Sequence, residues 1–152
     1  MSSARSFTDL YVAVQQFYAV QMRMLDEGDF EGYAHTFTSD GEFTHTPGRP
    51  PARTPAGIVK ELVDFHKKFE GNPVQRRHWF NMLALTEHDD GTLESTVYAL
   101  VLTSGTDRVP EVAPSCTVHD VLVHESGRLK TRSRTVGHDY DRTHKSGPAP
   151  LT

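Results

Sequence analysis

Two kinds of hydrophobic period divide this chain of 152 residues, and they scarcely alternate. Up to about position 69 the apolar residues follow mainly helical spacing; beyond position 76 they fall in long extended runs separated by hairpin turns. Phe7, Leu10, Tyr11, Val14, Phe17, Tyr18, Met22 and Leu25 form one wide helical stripe, with Thr8 or Asp9 as cap and Gly28 as stop. Asp29 caps a short second helix ending near Thr36, and Thr38-Ser39-Asp40-Gly41 predicts a turn. Glu42 to Thr46 reads as a short strand, with Phe43 and His45 on one face. A third helix runs from about Pro55 to Phe69, with Thr54 as N-cap and Ile58, Leu62, Phe65 and Phe69 on its buried side. Four strands follow, over 77–88, 92–103, 115–125 and 128–139, with Asp90-Gly91 and Ser126-Gly127 as two-residue turns. Segregated helices and strands place the chain in the α+β class. The expected architecture is a cone-shaped, curved antiparallel sheet with three helices covering one face. Residues 1–140 are expected to form a single domain, and the polar residues 141–152 a flexible tail.

Composition excludes several roles. The chain is 36% hydrophobic, enough for a core at this length. No run approaches the ~20 apolar residues of a membrane span, and the N-terminus lacks the apolar stretch of a secretory signal. Cys116 is the single cysteine, so no internal disulfide framework or cysteine zinc site is available. A cytoplasmic location and no membrane partner are expected. A net charge of −4 argues against nucleic acid as a partner. Arg128, Lys130, Arg132 and Arg134 alternate along one strand, and are read as a solvated or subunit-facing row. The chain holds 9 histidines but no His-x-Glu, His-Glu-x-x-His or Cys-x-x-Cys, and no metal site is expected even with His119, His124 and His138 on neighbouring strands.

The turns also predict which side chains share a face. A two-residue turn at Asp90-Gly91 sets His78 opposite Thr103, Phe80 opposite Val101 and Met82 opposite Ala99. Trp79, Asn81, Leu83 and Leu85 then share the other face with Leu102, Leu100 and Tyr98. Both faces are apolar, whereas an antiparallel sheet usually keeps one face wet. Helices are expected over one face and a second copy of the chain over the other, giving a homodimer. A two-residue turn at Ser126-Gly127 sets His119 opposite Arg134 and Asp120 opposite Ser133.

The order of elements, Leu25-Asp26-Glu27-Gly28-Asp29-Phe30, Phe37-Thr38-Ser39-Asp40-Gly41-Glu42-Phe43 and Thr131-Arg132-Ser133-Arg134 resemble the SnoaL-like branch of the nuclear-transport-factor-two-like superfamily. Arg76-Arg77-His78-Trp79-Phe80-Asn81 and Pro114-Ser115-Cys116 resemble small tailoring proteins of bacterial aromatic polyketide pathways, the actinorhodin-pathway type included. The resemblance implies a cone-shaped fold, a dimer and no cofactor. It leaves the reaction open. Scytalone dehydratase has a similar architecture. By that comparison Asp26 and His78 stand where its catalytic aspartate and histidine stand, while Ala99 and Leu25 replace a second histidine and a tyrosine.

Asp26 and His78 are therefore the candidate catalytic pair: a carboxylate that accepts an imidazole N–H fixes the tautomer and raises basicity. Arg76 shares the parity of His78 and is expected to stabilise a developing oxyanion. His119 and Arg134 are read as substrate-positioning groups, and Phe43, His45, Phe80, Met82, Tyr18 and Tyr33 as the wall of an aromatic-rich pocket. Arg49 and Arg53 sit on a loop that could lid the mouth, and Cys116 reads as a small buried hydrophobe. The expected function is cofactor-independent acid–base cyclisation or dehydration of an aromatic polyketide. The alternatives are a non-catalytic ligand-binding or oxygenase-accessory protein, and an isomerase or epoxide hydrolase acting on a small apolar substrate.

Overall fold

The first helix starts at the first residue of its apolar stripe, and its cap is Ser6, not Thr8 or Asp9, because Ser6 and Asp9 form a capping box: the Ser6 hydroxyl accepts the Asp9 N–H and the Asp9 carboxylate accepts the Ser6 N–H. In the computed structural model, which describes residues 5–144, this helix is α1 (Phe7–Asp26). Helix α2 (Phe30–Ala34) is capped by Asp29, whose carboxylate accepts the Gly32 N–H at 2.9 Å. Strand β1 (Phe37–Thr44) takes in the segment expected as a turn. Its register shifts between Phe37 and Glu42, and a Cβ on Gly41 would lie 2.9 Å from the Thr38 carbonyl oxygen. Small polar residues and glycine that build turns also build bulges, and only the partner strand decides which.

Strand β2 (Ala52–Arg53) leads into α3 (Thr54–His66) and a 3-10 turn, Lys67–Phe69. Thr54 is the first residue of α3, and its hydroxyl accepts the Gly57 N–H at 3.3 Å. Strands β3 (Gln75–Glu87), β4 (Leu93–Ser104), β5 (Pro110–Glu125) and β6 (Arg128–His138) form a meander. A short helix α4 (Asp139–His144) occupies the start of the segment expected as a flexible tail; the rest of that tail lies outside the described residues. The strand order is β2-β1-β6-β5-β4-β3. The sheet is mixed rather than wholly antiparallel, because β6 returns beside β1 in the same direction. Among the described residues no helix is long and apolar enough to cross a membrane.

Three register features differ from the sequence reading, and each moves side chains. The β3–β4 loop has three residues, Asp89-Asp90-Gly91: His88 N–H bonds to the Thr92 carbonyl and Gly91 takes a left-handed φ of 83°. A bulge between Asn81 and Ala84, with Met82 at φ 57°, then shifts the ladder again, so that His78 faces Val101 and Phe80 faces Ala99. His78 and Phe80 stay on the concave face, but beyond the bulge Leu83 turns inward and Met82 is 67% exposed. The third feature is in the last hairpin. Ser126-Gly127 is the expected two-residue turn, with Glu125 opposite Arg128, but a bulge near Arg132 shifts the pairing by one. Arg134 consequently faces Asp120, and His119 faces Thr135. The shift also breaks the row of cations: Arg128 and Arg132 point to solvent while Arg134 is buried.

The helices lie over the concave face. One core cluster joins Leu10, Val14 and Tyr18 of α1 to Leu93, Val97, Val118 and Leu122 of the sheet. The other joins Met22 and Leu25 to Tyr33, Phe37, Phe43, Ile58 and Leu62. A polar network lies between them. Arg134, 1% exposed, donates from Nε and Nη2 to both oxygens of Asp120 at 2.9 and 2.7 Å, from Nη1 to Tyr33 at 2.9 Å and from Nη2 to Gln21 at 2.7 Å. Tyr18 donates to Asp120 at 2.7 Å and shares a 2.6 Å hydrogen bond with Ser95. Burial alone would weaken Arg134's hold on its proton, but Asp120 and the tyrosine oxygens reverse that and raise its pKa. Burial, then Asp120, raises that of Tyr18. On the convex face Trp79, Tyr98, Leu100 and Val112 are exposed, Trp79 by 60% and Tyr98 by 61%.

Removing one partner of a fully buried pair leaves the other charge unpaired. Arg134→Met is expected to destabilise the fold by about 3–5 kcal/mol and to lower Tm by roughly 6–20 °C. Arg134→Met with Asp120→Leu is expected to cost less than Arg134→Met alone. Denaturant and thermal unfolding of the three proteins measure this, and a double variant less stable than the single one contradicts it.

Candidate active site

Asp26 is the last residue of α1, where a carboxylate opposes the helix dipole and costs up to about 1 kcal/mol. Three contacts from β3 offset that cost. The Gln75 amide donates to the Asp26 carbonyl at 3.1 Å, which ties the start of the strand to the helix end. The His78 backbone N–H lies 3.2 Å from both carboxylate oxygens. The His78 ring nitrogen Nδ1 lies 2.6 Å from Asp26 Oδ1. The two side chains are 13% and 7% exposed, so little water competes for this contact. With Nδ1 committed to the carboxylate, Nε2 is the nitrogen left for a ligand, and a neutral ring carries its lone pair there.

His78 stands between two hollows. The first is a cavity of about 390 Å³ between the helices and the concave sheet. Its apolar wall includes Met22, Leu25, Tyr33, Phe43, Leu62, Phe80, Val101 and Cys116, and its polar members include His45, His66, Lys68, Arg76, His78, Glu111 and His138. Such a volume and lining suit a ring-shaped organic molecule. The second is a more open groove of about 480 Å³ between α1 and β3, bordered by Gln15, Arg23, Asp26, Arg77 and Trp79. Asp26 touches the groove and His78 touches both, so the pair forms part of the partition.

His45 occupies the far wall, on the chain just beyond β1. Its Nδ1 lies 3.2 Å from the Thr46 hydroxyl, and its Nε2 is buried 3.4 Å from Glu61, too poorly aligned for a hydrogen bond. Burial, then the neighbouring His138 and Arg49, pushes its pKa down to about 4. His45 is therefore neutral at neutral pH, and its contact with Glu61 is not an ion pair. Cys116 is buried, and burial raises its thiol to about 11, which leaves it no nucleophilic thiolate. Arg76 lies over the rings of Phe65 and Phe69, its carbon Cζ 5.3 and 5.7 Å from their centroids.

The structure brings together Asp26 and His78, and sets Arg76, Phe43, His45, Phe80 and Tyr33 on the same cavity. Arg134 also reaches the cavity wall, but nearly all its donors are taken by Asp120, Tyr33 and Gln21, so it holds the fold rather than a ligand. Tyr18 is engaged in the same network. Met82 points away because the bulge at its own position turns it outward. His119 lies on the convex face, its side chain 49% exposed and 3.6 Å from Glu94, because β5 alternates regularly with Val118 and Asp120 inward; the bulge near Arg132 turns Arg134 inward, away from His119 and against Asp120. Arg49 is paired with Glu61 at 3.3 Å, and Arg53 with Glu42.

His66, Lys68 and His138 line the cavity and stand outside the set of site residues expected from sequence. Helical spacing could have found Lys68, since Phe65 and Phe69 are assigned inward and Lys68 follows Phe65 by three. The same spacing could have found His66, four after Leu62 and three before Phe69, whereas nothing in the sequence marks His138 as facing this cavity. Among the described residues no group of three or more histidine, cysteine, aspartate or glutamate side chains is placed to hold a metal ion.

Comparison with curated proteins found no match. Solved structures are informative. ActVI-ORFA from Streptomyces coelicolor is 53% identical, covering 86% of this chain and 98% of that one at a TM-score of 0.81. A Catenulispora acidiphila protein in complex with S-DNPA is 52% identical, covering 91% and 99% at 0.83. Aln2 from a Streptomyces species is 37% identical, covering 95% and 100% at 0.85. A putative scytalone dehydratase from Novosphingobium aromaticivorans, 16% identical with a TM-score of 0.71, shares the fold. The profile of the SnoaL-like domain matches residues 7–135. A helix-covered curved sheet, a cavity between the layers and this profile over most of the length make the chain a member of the SnoaL-like domain family.

Proposed function

We propose that this protein is an acid–base enzyme that cyclises or dehydrates an aromatic polyketide intermediate bound in the cavity. The observation that carries the reading is the 2.6 Å contact between Asp26 and His78 on the wall of a largely apolar hollow between the helices and the sheet. The identities of 52 and 53% to the S-DNPA-bound protein and to ActVI-ORFA support a related substrate class. In a dehydration, His78 Nε2 takes a proton from the carbon beside a substrate carbonyl, and Asp26 stabilises the imidazolium. The imidazolium returns that proton to the departing hydroxyl, which leaves as water as the double bond forms. A cyclisation uses the same base to take the proton of a substrate hydroxyl as its oxygen attacks a carbonyl carbon, and the imidazolium returns that proton to the former carbonyl oxygen, giving a cyclic hemiketal. Neither route changes an oxidation state, so neither calls for a redox cofactor. Arg76 supplies positive charge on the same strand face, about 7 Å along the backbone from His78.

The convex face supports a second part of the reading, that two copies pair through it. Trp79, Leu100 and Ser115 lie in one row across β3, β4 and β5, with Asn81, Tyr98 and Thr117 in the next. Exposed aromatic and aliphatic side chains clustered on a sheet face are costly in water and mark an association surface.

His78→Asn is expected to lower kcat by about 10²–10⁴-fold on a pathway intermediate while leaving ligand affinity within a few-fold. Asp26→Asn is expected to lower it less, because the ring remains in place but its tautomer is no longer fixed. Wild-type turnover by His78→Asn removes this histidine from the mechanism. Sedimentation is expected to show a dimer for the wild-type chain and a monomer for Trp79→Glu; a wild-type monomer at micromolar concentration overturns the pairing.

A further inference from the structure

In the last turn of α1 every carbonyl but one is satisfied by a backbone N–H a few residues on. The Arg23 carbonyl accepts the Glu27 N–H at 3.0 Å, that of Met24 the Asp29 N–H at 2.9 Å and that of Leu25 the Gly28 N–H at 3.1 Å. Gly28 allows this return of the chain with a left-handed φ of 79°. The exception is the carbonyl of Asp26, the residue whose carboxylate holds the His78 ring. Among the described residues no backbone N–H beyond the helix end reaches it, and its donor is the side-chain amide of Gln75 at 3.1 Å. The same nitrogen donates to the Arg76 carbonyl at 3.0 Å, and a primary amide has one hydrogen for each. Strand phase leaves that second carbonyl open. β3 is an edge strand of the sheet, and the His78 N–H turns away from β4 to the Asp26 carboxylate. Arg76, two residues earlier, repeats the phase, so its carbonyl also points off the edge.

One neutral amide thus bridges the helix end and the strand edge beside the reactive pair. Its effect on that pair is twofold. The Asp26 carbonyl carries the negative end of the helix dipole close to the Asp26 carboxylate, and a donor hydrogen on that carbonyl offsets part of the repulsion. The 2.6 Å contact between the carboxylate and the ring also changes in strength as His78 gains and loses a proton, whereas the Gln75 amide is uncharged throughout. The bridge therefore keeps α1 and β3 at one spacing in both charge states. At that spacing Nδ1–H stays on Asp26, and the lone pair of the neutral ring stays on Nε2. A looser contact lets the ring take the tautomer protonated on Nε2, which has no lone pair there to act as a base.

We infer that Gln75 is a positioning residue: by joining the Asp26 carbonyl to the Arg76 carbonyl it holds carboxylate and imidazole in register and fixes the tautomer of His78. The role rests on the acid–base reading of Asp26 and His78, and deepens it. Gln75 borders neither hollow, so it acts through the backbone of its two partners and not on a ligand.

The test is the ring-nitrogen NMR shifts of His78 in the isotope-labelled full chain, recorded without substrate in mildly alkaline buffer, together with steady-state kinetics on a pathway intermediate. The wild-type ring is expected to be the Nδ1–H tautomer. Gln75→Met has a similar length and no donor. It is expected to place about a third or more of the ring in the Nε2–H tautomer and to lower kcat about fivefold, with KM within about twofold. Gln75→Lys returns a donor and is expected to recover most of both. Because Gln75 is exposed, Gln75→Met is expected to fold, with Tm within about 5 °C of the wild type. A wild-type ring that is not mainly Nδ1–H overturns the role. So does a wild-type tautomer in Gln75→Met, whatever its Tm, because that marks a purely structural bond. A shifted tautomer with unchanged kcat also overturns it. The spectrum needs no turnover, so this failure is distinct from that of the acid–base reading, which His78→Asn decides.

Discussion

The fold depends on one buried guanidinium. Arg134 of β6 is bound by Asp120 of β5, Tyr33 of α2 and Gln21 of α1, and Tyr18 of α1 links the same aspartate to Ser95 of β4. Three strands and two helices are thereby joined through a single charged group. Directional hydrogen bonds fix the spacing between layers in a way that apolar contact does not. Held at that spacing, the concave sheet and α3 leave a hollow instead of collapsing on one another. Phe80 and Val136 pack against both core clusters and line that hollow, so the network and the cavity share a wall.

The reactive pair depends on the same scaffold from another side. Asp26 ends α1 and His78 lies near the start of β3, far apart in the chain, and they meet because α1 lies against β3. An acid at a helix C-terminus is poorly placed for the helix itself. Here its position is compensated by donors from a strand, which leaves a carboxylate that cannot relax away from the imidazole it orients. The cavity on one side and the groove on the other give the ring two environments, one for a ligand and one closer to water.

Much of this is legible in the residues. Helical stripes and hairpin turns place most elements within a few positions, and the parity of His78, Phe80 and Arg76 survives because errors of two residues leave side chains on the same face. One-residue errors do not. The bulge at Met82 and the bulge near Arg132 each invert a face, which turns Met82 outward and Arg134 inward, so that Arg134 meets Asp120 and leaves His119 on the convex side. Bulges leave little trace in local sequence, because the extra residue is defined only against a partner strand. The segment Thr38 to Gly41 shows the same limit: its residues permit a turn or a strand, and its pairing with β6 decides.

Residue order alone settles the class, the elements and the residue types available for acid–base chemistry, because period and turn residues act over short range. Long-range packing settles which polar groups are bound to one another and which remain open to a ligand. Arg134 and Arg76 are alike as residues on strands, but one is almost saturated by buried partners and the other faces a cavity with a donor unmet. That difference arises from strand register and from the packing of helices over the sheet, where a shift of one residue exchanges a buried ion pair for a solvent-exposed one.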